Sequence, residues 1–114
     1  MELVSYELDQ HTGGQGEVGC CAELTVDGIA EKISGVGNGL INAFVQALAE
    51  AGKKNFTLTD YRSHAVRGGS DADSAAYIQL KGENDQLVWG CGVDPSIEMA
   101  GLKALVSAYN LLQK

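Results

Sequence analysis

The stretches GVGNGLINAFVQAL (Gly35–Leu48) and GCGVDPSIEMAGLKAL (Gly90–Leu105) share one plan. Each opens on Gly-x-Gly and runs into an apolar, alanine-spaced segment ending in Ala-Leu. A shift of 55 positions superposes Gly35 and Gly37 on Gly90 and Gly92, and Leu3–Tyr6 (LVSY) on Leu58–Tyr61 (LTDY). A shift of 54 places Ala22, Leu24, Val26 and Gly28 on Ala76, Ile78, Leu80 and Gly82. A shift of 57 places Ala43, Val45, Ala47 and Leu48 on Ala100, Leu102, Ala104 and Leu105. Matches in one order, with offsets that drift by a residue or two, mark an internal duplication.

Each half reads the same way. Val4, Tyr6 and Leu8 alternate with polar residues, as in a half-buried strand. After a glycine loop, Ala22, Leu24 and Val26 alternate again, and Val26-Asp27-Gly28 supplies a tight hairpin turn into a strand at 29–36. In the second half strands are expected near 56–66, 75–81 and 87–89, with Lys81–Gln86 as the matching turn. Gly-x-Gly is expected to bend each third strand into a helix. Ile41, Phe44, Val45 and Leu48 recur on one helical face, and Gly52 stops that helix, with Lys53 and Lys54 at its carboxyl end. In the second helix Asp94 is the expected cap and Pro95 suits the first turn. Leu102, Leu105, Val106, Tyr109 and Leu112 form one stripe, and Ala100, Ala104, Ala108 and Leu111 another.

The expected class is α+β: duplicated βββα units with pseudo-twofold symmetry, antiparallel sheets packed by two helices. The halves fall at about 1–54 and 55–114 of a single domain. A helix apolar on two faces needs cover on both, from its own sheet and from a companion helix or a second chain. A homodimer is the usual symmetric outcome.

The 114 residues carry a net charge of −7 and a pI near 4.6, which argues against nucleic acid. No apolar run is long enough to span a bilayer, so no membrane partner is expected. Cys20, Cys21 and Cys91 form no disulfide framework or C-x-x-C motif, which favours a reducing, cytoplasmic setting.

Catalytic patterns fail one by one. The third glycine of a dinucleotide fingerprint would fall at Asn42, and no P-loop lysine follows. A calcium loop starting at Asp71 and Asp73 would need Gly and Glu where Ala76 and Gly82 stand. His11 and His64 belong to no metal-binding cluster. What remains is a glycine turn feeding a helix amino end, twice. That device suits an anion such as a carboxylate.

The runs GNGLINAFV, LTDYRSHAV, DADSAAYIQL and VWGCGVDPSIEMAG give the chain a resemblance to the carboxyl-terminal regulatory domain of 2-isopropylmalate synthase. The resemblance implies a duplicated βββα domain that dimerises and binds L-leucine for feedback inhibition of leucine biosynthesis. It implies a regulatory fragment of an acyltransferase, not itself an enzyme. The partner would be the parent enzyme's catalytic TIM barrel, where divalent metal and acetyl-CoA belong; no cofactor is expected in this domain. Carried over by position, the ligand site comprises Gly37, Asn38, Gly39, Ile41, Asn42, Leu58, Tyr61, Ala65, Ala72, Ser74, Gly92, Asp94, Pro95 and Ile97. The chain departs from the family at Leu40, where many relatives carry proline, and at Asn42 and Ser74, which replace residues that are often Asp or Ala. Three alternatives stand beside this reading: the isoleucine-sensing domain of citramalate synthase, a dimerisation module without ligand, and a small enzyme of unrecognised type.

Overall fold

The computed structural model describes residues 1–9, 17–53, 55–65 and 73–112. His11, Lys54, Val66, Asp71 and Ala72 therefore lie outside the described residues. The chain divides into two compact units, Met1–Lys54 and Asn55–Lys114. Their element order is βββα twice. The first unit has β1 (Glu2–Asp9), β2 (Val18–Val26), β3 (Ile29–Gly37) and α1 (Leu40–Glu50). The second has β4 (Phe56–Ala65), β5 (Ser74–Gly82), β6 (Leu87–Asp94) and α2 (Ile97–Leu112). Each sheet is antiparallel, in the orders β1-β2-β3 and β4-β5-β6, so the duplicated α+β class is what the chain adopts.

Local chemistry sets the turns. Asp27 (φ 52°) and Gly28 (φ 81°) both take positive φ, which a two-residue hairpin matched to the strand twist requires. Gly82 N–H donates to Gln86 O at 2.8 Å to close the longer β5–β6 hairpin. Helix α1 ends with Gly52 at φ 86°. Its N–H bonds Ala49 O at 3.1 Å while Lys53 N–H bonds Leu48 O at 2.8 Å, the Schellman pattern. The Lys53 ammonium turns back to Glu31 at 3.0 Å.

Three expectations need correction. Val4 is not an inward strand residue. The β1–β2 register slips between Leu3 and Ser5, so Val4 is a bulge, 53% exposed, and Leu3 takes the place opposite Leu24. The same slip occurs between Leu58 and Asp60, around Thr59. Strand β6 runs on through Gly90 and Gly92 to Asp94 instead of ending near Trp89, and β3 likewise includes Gly35 and Gly37. The Gly-x-Gly pairs are thus strand residues, not bends.

Their role is close approach. A Cβ at Gly37 would fall 2.6 Å from Ala43 N, and one at Gly35 2.8 Å from Ala47 Cα. In the second unit a Cβ at Gly92 would lie 2.6 Å from Ala104 N, and one at Gly90 2.8 Å from Ala108 Cβ. Paired glycines on the strand and alanines on the helix let the two backbones meet. This seats α1 on β3 and β2, and α2 on β6 and β5. The first core holds Cys20, Ala22, Leu24, Ile33, Ala43, Phe44, Ala47 and Leu48. In the second, Ala76, Ile78 and Leu80 are buried, together with residues of both α2 stripes: Ala100, Ala104 and Ala108, and Leu102, Leu105 and Val106. No helix among the described residues is long and apolar enough to cross a membrane.

Candidate functional site

The two strand-to-helix turns have opposite chemistry, although duplication made them. In the first unit β3 stops at Gly37, and the Asn38 N–H donates to Asn42 Oδ1 at 3.0 Å. This reach-back from the third helical residue fixes the turn. Gly39 is the N-cap of α1 in extended backbone (φ −176°, ψ 179°) and offers no side-chain cap. The first turn holds no acidic residue. Space around Gly39 is open: a Cβ there would meet nothing within 4 Å. The amino end of α1 therefore presents its partial positive charge with neither a side-chain cap at Gly39 nor an acidic residue in its own first turn.

In the second unit the corresponding end is already answered. Asp94 Oδ2 accepts the Ser96 N–H at 2.9 Å, and Oδ1 accepts from the Lys103 ammonium at 2.9 Å. The Lys103 hydrogen bond, then that of Ser96, holds the Asp94 carboxyl below its ordinary value. Ser96 Oγ accepts the Met99 N–H at 3.3 Å, and Glu98 lies in the first turn. The expected cap, Asp94, is thus one step removed: Ser96 caps α2, because it immediately precedes Ile97 and its hydroxyl reaches the third helical amide. Pro95 lies before the helix and is exposed. Ser96 and Lys103 were missed in the sequence. The triplet Asp94-Pro95-Ser96 offers two capping residues, and only the strand's extension to Asp94 decides between them.

The remaining site residues spread along the second sheet. Ala65, Ser74 and Asp94 stand in one cross-strand row. Tyr61 shares a row with Ile78 and Gly90, on the α2 side of the sheet, yet stays 41% exposed because α2 lies over β5 and β6 and scarcely reaches β4. Leu58, half-buried, lies farther along, opposite Leu80. The seven steps from Leu58 to Ala65 cover roughly 20 Å, longer than one amino-acid ligand. Ile97 opens α2 at 41% exposure. The structure thus brings Ala65, Ser74 and Asp94 together, with Pro95 and Ile97 following in the chain, and leaves Leu58 apart within this unit. Gly37, Asn38, Gly39, Ile41 and Asn42 form a second cluster in the first unit. Ala72 is outside the described residues.

The first unit also carries a cleft of about 460 Å³ on the sheet face away from α1, lined by Ser5, Glu7, Cys21, Glu23, Lys32 and Ser34 among others. It shares no residue with the predicted site. Burial pushes the Cys20 thiol up to about 11, helped by the adjacent Cys21. Among the described residues no three His, Cys, Asp or Glu side chains converge as a metal site would require. Among the described residues the first-unit cluster offers an open helix end at Gly39 beside the half-buried, apolar Ile41.

A family model described as the LeuA allosteric (dimerisation) domain matches residues 1–113. Similar proteins include the 2-isopropylmalate synthases of Parafrankia sp. (strain EAN1pec), 41% identical over 110 residues, and of Mycobacterium leprae (strain TN), 41% over 110. That of Corynebacterium efficiens is 44% identical over 110 residues. Each match covers 96% of this chain but only 18–19% of the relative, so the chain spans about a fifth of their length.

Proposed function

Because the chain belongs to the LeuA allosteric (dimerisation) domain family, we propose that it binds L-leucine and passes that occupancy to the catalytic part of a 2-isopropylmalate synthase. The 114 residues form two βββα units and are far too few for a (βα)8 barrel, which takes about 200 or more. The domain is regulatory and dimer-forming, not catalytic.

The observation that carries the reading is the open amino end of α1, where Gly39 offers no side-chain cap. A leucine carboxylate placed at Gly39 would accept from the first α1 amides, the arrangement that helix ends offer anions. Ile41, beside it, is half-buried and apolar. Tyr61, Leu58, Ala65 and Ile97 are proposed, from the resemblance, to wall the side chain, with Ser74 and Asp94 as polar anchors and Gly92, Pro95 and Ala72 completing the site. Burying the leucine side chain contributes about 1.5–3 kcal/mol, so the polar anchors must supply the rest of the affinity. Inhibition at a distance then requires that leucine favour one arrangement of this domain and the catalytic part.

Calorimetric titration of the chain with L-leucine, L-isoleucine and L-valine tests the proposal. Heat of binding with leucine in preference to the others is expected. A preference for isoleucine would assign the domain to a citramalate synthase, and no heat with any of them from an intact dimer would leave an assembly module.

A further inference from the structure

The duplication provides an internal control for the second sheet's outer face, the one turned away from α2. At matching positions the first repeat carries Glu7, Glu23, Lys32 and Ser34, and the second carries Arg62, Tyr77, Leu87 and Trp89. Val36, at the place of Cys91, is the exposed apolar exception in the first repeat; otherwise the first unit builds the same sheet with the polar set, so the fold does not require Tyr77, Leu87 and Trp89. Leu87 is 56% exposed, Trp89 45% and Val93 48%, in alternation along β6 with the exposed Cys91 between them. Tyr77, opposite Cys91 on β5, stacks on His64 at 5.6 Å and extends the apolar surface across the sheet. An exposed aromatic stripe of this kind marks a contact surface.

Charge decides what covers it. The chain carries −7, so two copies repel through most of their surfaces. The rim of this face is neutral: Asp60 pairs with Arg62 at 3.2 Å, and Lys81 with Asp85 at 3.1 Å. The first sheet's outer face, with Glu2, Glu7 and Glu23 against Lys32, would repel its own copy. It is also a poor cover for Trp89, because its carboxylates would lose water without gaining partners. We propose that two copies of this chain associate about a twofold axis through the outer faces of their second sheets, Trp89 and Leu87 of one copy against those of the other. The inference rests on the dimeric reading of the domain and adds the surface. A twofold contact is isologous, so one apolar patch with a balanced rim serves both copies.

The native thiols make the test. In the Cys21→Ser variant Cys91 is the one exposed thiol among the described residues, and a short bismaleimide is expected to link two chains through it; Cys91→Ser abolishes the link. The double variant Leu87→Lys, Trp89→Ser carries residues that the first repeat already holds at those positions. It is expected to keep the circular dichroism of the parent while the dimer dissociation constant from sedimentation equilibrium rises about tenfold or more. A dimer that forms no Cys91–Cys91 link, or one undisturbed by the double variant, overturns the surface and leaves the dimer standing. A chain that stays monomeric overturns both.

Discussion

One methyl group separates two kinds of glycine in this chain. Gly35, Gly37, Gly90 and Gly92 lie against helix backbone, whereas Gly39 faces open space. Gly92→Ala is expected to destabilise the fold by about 1–3 kcal/mol, the cost of forcing a methyl into close-packed backbone. Gly39→Ala, in extended backbone that any residue adopts, should cost less than about 1 kcal/mol. Urea denaturation of the two variants measures the difference, and equal losses would contradict the seating role. Gly39→Asp goes further. Its carboxylate would cap α1, raising stability by a few tenths of a kcal/mol while occupying the amides proposed for the leucine carboxylate. Higher stability together with lost leucine binding, read by thermal melts and calorimetry, is the expected pair; retained binding would move the site away from α1. The glycines were legible as a repeated device but not as a packing device. A sequence shows that Cβ is missing, and only the helix above the strand shows why.

Helices α1 and α2 descend from one repeat and end differently. Most of the element pattern was written in the residues. Val26-Asp27-Gly28 makes the hairpin, Gly52 stops α1, and alternation at Ala22, Leu24 and Val26 marks β2. The bulges were not, since Val4, Tyr6 and Leu8 alternate as a regular strand would, and only the pairing with β2 and β5 puts Leu3 and Tyr6, and Leu58 and Tyr61, on one face. The end of β6 was not, because glycine is poor strand material and its tertiary reason lies 14 residues downstream at Ala104. For α2 the capping hydroxyl makes a direct prediction: Ser96→Ala costs about 1 kcal/mol. The Asp94–Lys103 pair makes a pH-dependent one. Its carboxyl is depressed in the folded state. The contribution is therefore present above the ordinary carboxylate range and is lost as pH falls through that range to the depressed value. Melting temperature against pH should fall less steeply on the acid side in Asp94→Asn than in the parent. Parallel curves would show that the pair contributes nothing to folding.

At the scale of the whole molecule, binding and folding are linked. A ligand that binds only the folded chain stabilises it by about 2.7 kcal/mol at a hundred times its dissociation constant. For a domain near 100 residues that shift is worth about 10 °C in melting temperature. L-leucine at that excess is expected to raise the melting temperature by this amount. Isoleucine and valine at the same concentration should do less, since a slot shaped for a γ-branched side chain loses contacts with a β-branched one. The measurement also bears on the contact surface. A dimer held by the second sheet's neutral-rimmed face, in a chain of −7, should tighten as salt screens the repulsion between copies. Leucine leaves the salt response unaltered where its binding and the β6 contact act independently. If leucine and salt each shift the dissociation constant and the two effects fail to add, the effector and the contact surface are coupled, and the dimer itself is the element through which leucine acts.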